Sequence, residues 1–331
     1  MERFNEVTRR GFIATAATGL VGAMSNVRAA ENDKALIAIT LDMEMSRNFP
    51  NREDTHWDYE KGNLNAPTKA YTVEACRRVK AAGGVVHCFC VGRVLEQGDV
   101  SWLKEIVEMG HAVGNHTYDH VNLLATKIED VQFRFQRAPW LAEGRTPSEL
   151  IRDNIRLASS AMKARLGIKP NGFRTPGGFA DGLRSRPDVR AMLKDQGYSW
   201  VSSVYPAHEA PRPLDEPSSA FFESIVRAQT AAQPFRYPDG LIEIPMSPIT
   251  DIGAFRTGRW KLESYLKAVR LGVEWAIEHR VVYDFLGHPS CLYVADPEFR
   301  AIELICELVK KAGNNAAIVS LDTIANRLKP R

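Results

Sequence analysis

Short apolar runs alternate along the chain with longer stretches in which apolar positions recur at helical spacing. Runs typical of buried strands occupy residues 37–41, 85–91, 112–115, 199–204, 241–244, 281–286 and 317–320. Helix-like segments occupy residues 71–82, 101–109, 147–166, 188–196, 262–279 and 297–312. This alternation predicts repeated β–α units and therefore a mostly parallel sheet with helices packed against it.

The length of the chain fits one large domain. Its 331 residues match the size of single α/β barrels, and no internal repeat or composition break marks a boundary. The pattern alone does not separate an open sheet from a closed barrel. Polar loops at residues 45–69 and 205–220 are longer than a connection requires, and such loops often bind substrate.

The N-terminus has the features of an export signal. Arg9 and Arg10 form a twin-arginine pair, and a weakly apolar stretch follows at residues 12–24. Val27 and Ala29 then place small residues at the two positions that a signal peptidase reads. We predict a twin-arginine signal peptide over residues 1–29, a single catalytic domain over residues 30–331, and a periplasmic or extracellular protein. The stretch is too short and too polar for a spanning helix, so no permanent membrane anchor is expected.

Charge and cysteine content exclude some partners and sites. The formal net charge is +3, which gives no reason to expect a nucleic acid partner. The five cysteines are odd in number and include no C-x2-C pair, which argues against a zinc–thiolate site. Most of them are expected to be small buried apolar residues.

A pair of histidines follows the third apolar run. His116 and His120 are four residues apart, directly after residues 112–114. The spacing predicts a helical turn, on which positions i and i+4 lie on one face. Two neutral imidazoles on one face can bind a single divalent metal, and histidine is the commonest protein ligand for it.

Other chemically capable residues also lie at or near predicted strand ends. Asp42 and Glu44 end the first apolar run, and residues two apart on a strand face the same side. Arg174 follows a helix-like segment, and His288 follows the apolar run at 281–286. Parallel barrels place their chemistry at the C-terminal ends of strands, so these positions are consistent with one shared site.

The order of four motifs resembles the polysaccharide deacetylase family. They are D-x-E at 42–44, G-N-H-T-x-D-H at 114–120, F-R-x-P-x-G at 173–178 and L-x-H-P at 286–289. The resemblance implies a distorted, incomplete (β/α)7 barrel with mostly parallel strands. It also implies a metal-dependent hydrolase that acts on carbon–nitrogen bonds other than peptide bonds, or on acetyl esters.

The resemblance assigns a role to each carboxylate. Family members usually carry two adjacent aspartates, the first a general base and the second a metal ligand. By this analogy Asp42 is the base, and Glu44 binds the metal with His116 and His120. Because an extra residue separates the acids here, the reverse assignment stays open. Zinc suits two histidines and one carboxylate, and cobalt or nickel would also fit.

The remaining catalytic roles follow from the same resemblance. Arg174 would pair with the base, and His288 would be the general acid. The family's usual acidic partner for this histidine is missing from residues 198–203. Asp251 and Asp284 are the candidates to replace it.

Several further residues are predicted to support the site. Thr117 and Asp119 would hold the metal-binding imidazoles in place. Gly177 and Gly178 would allow close approach of a substrate and expose a backbone N–H to a developing oxyanion. Trp57 is a candidate for stacking against a sugar.

These observations favour an exported deacetylase of an N- or O-acetylated carbohydrate. Two alternatives stay open: a hydrolase of small cyclic amides on the same fold, and a carbohydrate-binding relative without catalysis. The sequence does not indicate an oligomeric state.

Overall fold

The strands of the molecule form one curled sheet. The computed structural model describes residues 34–45, 61–209 and 211–328. The strands are β1 (Ala35–Met43), β2 (Val86–Cys90), β3 (Ala112–Asn115), β4 (Gly172–Phe179), β5 (Trp200–Val204), β6 (Phe235–Arg236), β7 (Ile242–Glu243), β8 (Val282–Gly287) and β9 (Ala316–Ile318). Their order is β6-β7-β5-β4-β3-β2-β1-β8, with β9 paired to the start of β1. The neighbouring pairs are parallel, apart from antiparallel β6 and β7.

Helices connect the strands and pack against the sheet. The α-helices are α1 (Ala66–Ala81), α2 (Ser101–Glu108), α3 (Ile128–Val131), α4 (Phe133–Arg137), α5 (Pro147–Leu166), α6 (Pro187–Asp195), α7 (Ser219–Ala228), α8 (Leu262–His279), α9 (Pro289–Ala295), α10 (Arg300–Ala312) and α11 (Leu321–Arg327). Short 3₁₀ turns occupy Gly92–Glu96, Pro139–Ala142, Gln229–Ala232 and Gly313–Asn315, and a π-helical turn occupies Ile252–Thr257. In the described part of the chain β6 and β8 end the path of paired strands. The sheet is therefore an incomplete barrel, and the predicted fold class is confirmed.

Strand β1 separates two apolar layers. Its odd-numbered residues from 35 to 43 pack with the helices in the largest apolar cluster. Leu36 and Ala38 pack on the other face with Phe89, Trp200 and helix α11. Because side chains alternate along a strand, the later even-numbered positions face the same interior as Leu36 and Ala38.

Strand β4 was not among the strands that the apolar pattern predicts. It contains Pro176 and Gly177, residue types that weaken a strand and seldom lie in the interior of one. Its pairing with β5 shifts in register between Arg174 and Phe179, so the strand bulges after Arg174. The neighbouring strands thus hold in extended form a segment that its own composition does not specify.

The described residues belong to one compact unit. Among them no helix has the length and apolar character needed to cross a bilayer. The five cysteines are free thiols, and all except the half-buried Cys306 are buried. The predicted signal peptide lies outside the described residues and stays a prediction.

Candidate metal centre

The end of β1 delivers two carboxylates to the interior of the barrel. Asp42 and Glu44 continue the interior-facing positions of the strand, and both are buried, at 5% and 7% exposure. The register pairs Asp42 with Phe89 of β2 and Leu41 with Gly287 of β8. The carboxylates therefore lie where the C-terminal ends of three parallel strands meet.

The two histidines lie on a bend after β3 rather than on the predicted helical turn. Thr117 and His120 both have a positive φ of 61°, which no α-helix contains. The side chain of Asn115 accepts a hydrogen bond from the Thr117 N–H at 2.7 Å, and Thr117 Oγ1 accepts one from the Val121 N–H at 3.0 Å. These local bonds replace helical ones, which is why the i, i+4 spacing does not produce a helix here.

Glu44, His116 and His120 together form a set of three possible metal ligands. One carboxylate oxygen and one ring nitrogen from each histidine lie within 4.8 Å of one another. Glu44 Oε2 is 3.8 Å from His116 Nε2 and contacts His120 Nε2. His116 Nδ1 is 3.1 Å from the carbonyl oxygen of Arg174. If Nδ1 donates its proton there, the lone pair of Nε2 is directed at the cluster. Two imidazoles and one carboxylate are a usual protein ligand set for a catalytic divalent metal.

Asp42 lies beside this set and has a different partner. Its Oδ2 is 3.7 Å from His116 Nε2, and its Oδ1 accepts a hydrogen bond from Arg174 Nη1 at 3.3 Å. Glu44, in contrast, contacts both imidazoles. The geometry therefore favours Glu44 as the ligand and leaves Asp42 free of the three-residue set.

Lys61 is a cation of the site that sequence reasoning did not select. Its Nζ is 2.7 Å from Glu44 Oε2, and the side chain is fully buried. Burial acts to raise the pKa of Glu44, but Lys61 and then His120 outweigh it and hold that pKa well below the ordinary value. Lys61 belongs to the polar segment 45–69, and no motif distinguishes it there from a solvated loop lysine.

Arg174 is the centre of a buried polar network. Its Nη1 donates to Thr40 Oγ1 at 2.8 Å, and its Nη2 donates to Ser202 Oγ at 3.2 Å and to Asp284 Oδ2. The guanidinium also lies 4.4 Å from the ring centre of Phe89. Burial raises the pKa of Asp284 to about 6, although Arg174 acts in the opposite direction. The network fixes the guanidinium that faces Asp42.

His288 enters the site from the opposite side, directly after β8. Its Nε2 is 3.6 Å from Glu44 Oε1, and its Nδ1 is 2.8 Å from Asp251 Oδ1. Asp251 Oδ2 also accepts the backbone N–H of His288 at 2.7 Å. Burial acts to lower the pKa of His288, but the Asp251 carboxylate outweighs it and raises this pKa to about 9. Of the two acids considered from sequence, Asp251 is the one that contacts His288, while Asp284 contacts Arg174.

A cavity of about 270 Å³ opens over these groups. Its apolar wall contains Met45, Tyr205, Met246, Ile252 and Leu286, and its polar wall contains Asp42, Glu44, Lys61, His116, His120, Arg256 and His288. Gly177 and Gly178 also line it, and Gly177 has a φ of +77°. The remaining predicted substrate residue, Trp57, lies outside the described residues.

Thr117 and Asp119 support the bend of the histidine pair. Thr117 bonds within the bend, as described above. The Asp119 carboxylate contacts Arg134, and its backbone N–H donates to Asn154 Oδ1 at 2.7 Å. These contacts attach the bend to helices α4 and α5.

Comparisons with known proteins show what the chain is similar to. A sequence model of the family described as polysaccharide deacetylase matches residues 31–201, more than half of the chain. No curated protein gives a significant match.

Three solved structures show the same fold at low sequence identity. A protein assigned as a polysaccharide deacetylase from Mycobacterium smegmatis is 14% identical, with a TM-score of 0.56 over 91% of this chain and 94% of that one. A protein with the same assignment from Pseudomonas aeruginosa PAO1 is 12% identical, with a TM-score of 0.60 over 89% and 91%. The Puue allantoinase is 13% identical, with a TM-score of 0.58 over 95% and 97%.

The family match extends from β1 to the start of β5 and includes Asp42, Glu44, the histidine pair and Arg174, while the structural likeness extends across the rest of the fold. The chain therefore belongs to the polysaccharide deacetylase family.

Proposed function

We propose that this protein is a metal-dependent hydrolase that removes acetyl groups from N- or O-acetylated carbohydrate. One observation carries the proposal: Glu44 meets both histidines of a bend, with Asp42 on one side and His288 on the other. Amide and ester hydrolysis needs an activated water, stabilisation of the oxyanion and a proton for the leaving group. The arrangement offers a candidate group for each of these three requirements of the reaction.

Glu44, His116 and His120 would hold the metal. Zinc is the first choice for this donor set, and cobalt or nickel would also be accommodated. When bound, such a metal supplies Lewis acidity toward the acetyl carbonyl and makes water a better nucleophile at neutral pH.

The protein's own groups would handle the protons. Asp42 accepts the proton of the attacking water, and Arg174 fixes the orientation of that carboxylate through its 3.3 Å bond. His288 donates a proton to the leaving nitrogen or oxygen. Asp251 fixes the ring of His288 and stabilises its protonated form.

The cavity would take one acetylated unit at a time. Its volume of about 270 Å³ lies just below the usual range of small-molecule pockets. Gly177 and Gly178 at its rim let a substrate approach the backbone, whose N–H groups are candidate donors to the oxyanion.

The small cavity also supports a second candidate, a hydrolase of small cyclic amides. A panel of chito-oligosaccharides, acetylated xylan and small cyclic amides separates the two functions by the product that is released. Turnover of the cyclic amides alone would reject the carbohydrate deacetylase.

The metal-dependent step is tested with two variants and a chelator. His116→Ala and His120→Ala should each abolish acetate release and reduce bound metal, whereas His279→Ala, on the exposed end of α8, should retain both. Full activity after complete removal of the metal would contradict the proposal.

We also propose export through the twin-arginine pathway, with cleavage after Ala29. The support is the sequence pattern of residues 1–29. Replacing Arg9 and Arg10 by lysine should retain the protein in the cytoplasm, and fractionation of expressing cells would measure this. Unchanged export of the lysine variant would reject the proposal of export through the twin-arginine pathway.

A further inference from the structure

Lys61 contacts the carboxylate that is assigned above to the metal. Its Nζ lies 2.7 Å from Glu44 Oε2, the same oxygen that contacts His120. The side chain is fully buried and lines the cavity. A buried ammonium at this place is part of the centre and not a surface charge.

The backbone around Lys61 keeps it there. The N–H of Gly62 donates to the carbonyl oxygen of Glu44 at 2.6 Å, and Gln97 Nε2 donates to the carbonyl oxygen of Gly62 at 3.2 Å. Gly62 has a φ of +90°, and a Cβ at this position would lie 2.3 Å from Cβ of Arg93. The turn that carries Lys61 is therefore joined to the end of β1 in a conformation that favours glycine.

The Glu44 carboxylate would then interact with two cations, the Lys61 ammonium and the metal. Glu44 carries one negative charge, and Lys61 contacts it in the described structure. A divalent metal held by Glu44, His116 and His120 would lie close to the ammonium, and like charges repel strongly in a buried site. Lys61 therefore lies close enough to compete with the metal for Glu44 Oε2.

We propose that Lys61 is a resident cation of the metal centre, which shares the Glu44 carboxylate with the divalent metal and lowers the affinity of the site for it. The inference rests on the ligand set of the proposed function. Lys61 is a positioning residue in this role, because it acts through Glu44. It also keeps Glu44 paired when no metal is bound.

The test is metal affinity without substrate. Metal-free wild type, Lys61→Met and Lys61→Arg are titrated with Co²⁺ by calorimetry, with Lys80→Met on the exposed face of α1 as the matched control. Methionine keeps the length of the side chain and removes its charge. We expect Lys61→Met to bind Co²⁺ at least about tenfold more tightly than wild type, and the arginine and Lys80 variants to stay within about threefold of it.

A second measurement separates the proposal from a general packing effect. Without metal, Lys61→Met should melt below wild type, because the buried Glu44 loses its partner. With saturating Co²⁺ its gain in melting temperature should exceed that of wild type. If the methionine variant does not fold, Lys61→Gln provides the neutral side chain.

Equal or weaker Co²⁺ binding by the neutral variants would overturn the proposal, as would the absence of binding in every protein. Binding by Lys61→Met alone would support it. Acetate release is not part of this readout. A protein that binds Co²⁺ in the expected order but releases no acetate would therefore contradict the proposed function and leave this inference standing.

Discussion

At the scale of single residues, His288 illustrates how a partner distant in sequence sets the chemistry of a side chain. Its ring faces Glu44 at one nitrogen and Asp251 at the other. The two acids are far from His288 in the chain, and neither is recognisable as its partner from spacing. Burial by itself would favour a neutral ring, so the raised pKa of His288 depends on the charge of Asp251.

The variant Asp251→Asn tests this dependence. It keeps an oxygen for the His288 N–H but removes the charge that raises the pKa of His288 from 6.5 to about 9. His288 would then lose its proton at lower pH. The fall of kcat/KM on the alkaline side should therefore move to lower pH, with a loss of roughly tenfold or more at pH 8 and a smaller loss at pH 6. An alkaline limb that stays in place while the variant remains folded would reject His288 as the general acid.

His87 is a buried histidine with a structural role. It lies on β2, and its ring stacks on that of Phe89 with 4.6 Å between the ring centres. It packs edge-on against Trp200 with 5.3 Å between the ring centres. Burial lowers its pKa to about 4. The folded protein therefore holds His87 neutral at pH values where the unfolded chain would be protonated.

This difference predicts loss of stability in acid. As the pH falls from 6.5 to about 4, the unfolded chain gains a proton that the folded state does not accept, so the free energy of unfolding decreases. The total is on the order of 3 kcal/mol. His87→Phe keeps an aromatic ring and should lose less stability than wild type between pH 7 and pH 4.5 in urea unfolding. Parallel losses in both proteins would contradict the assignment.

At the scale of elements, the site depends on a strand that carries carboxylates and a bend that carries imidazoles. The period of two in β1 is enough to place Asp42 and Glu44 on one face. The bend after β3 is different, because Asn115 and two residues with positive φ define it. The spacing of residues in a sequence does not show that a side-chain hydrogen bond replaces the backbone hydrogen bond of a helix.

Gly114 lies on β3, just before the bend, and offers a test of how β3 packs against its neighbours. A Cβ at this position of β3 would lie 2.6 Å from the ring of Phe89, which itself packs against Arg174. Gly114→Ala should therefore cost about 1–3 kcal/mol of stability and weaken metal binding by displacing the bend. Gly98→Ala is the matched control, because a Cβ there meets no atom within 4 Å. Equal stability of the two variants would show that β3 adapts without strain.

At the scale of the whole molecule, the centre assembles only because the sheet curls. Glu44 follows β1, the histidines follow β3, Arg174 lies on β4, and His288 follows β8. Parallel strands bring their C-terminal ends to one edge, and the curl directs them toward a common axis. A metal bound there would join segments that are remote in sequence.

Metal binding should therefore stabilise the entire fold. Metal at a hundredfold excess over its Kd adds about 2.7 kcal/mol, which raises the melting temperature by on the order of 5 °C for a domain of this size. A thermal melt with and without Co²⁺ measures the gain, and chelation should reverse it. The gain should be absent in His120→Ala and retained in His279→Ala. A gain that persists in His120→Ala would place the metal elsewhere.

From the sequence alone follow the α/β class of the fold and most residues of the candidate site. Alternating apolar runs specify β–α units because each buried strand must be covered on both faces. The four ordered motifs identified Asp42, Glu44, the histidine pair, Arg174 and His288, since their order along the chain resembles that of the polysaccharide deacetylase family.

The folded molecule alone establishes which of these groups meet. It paired Glu44 with the imidazoles, Asp42 with Arg174, and Asp251 with His288, and it brought Lys61 into the centre. It also held β4 in extended form despite its proline and glycines. The physical reason is common to all of these. Contacts between residues far apart in the chain depend on how the sheet curls and what it buries, and no local pattern of residues encodes that.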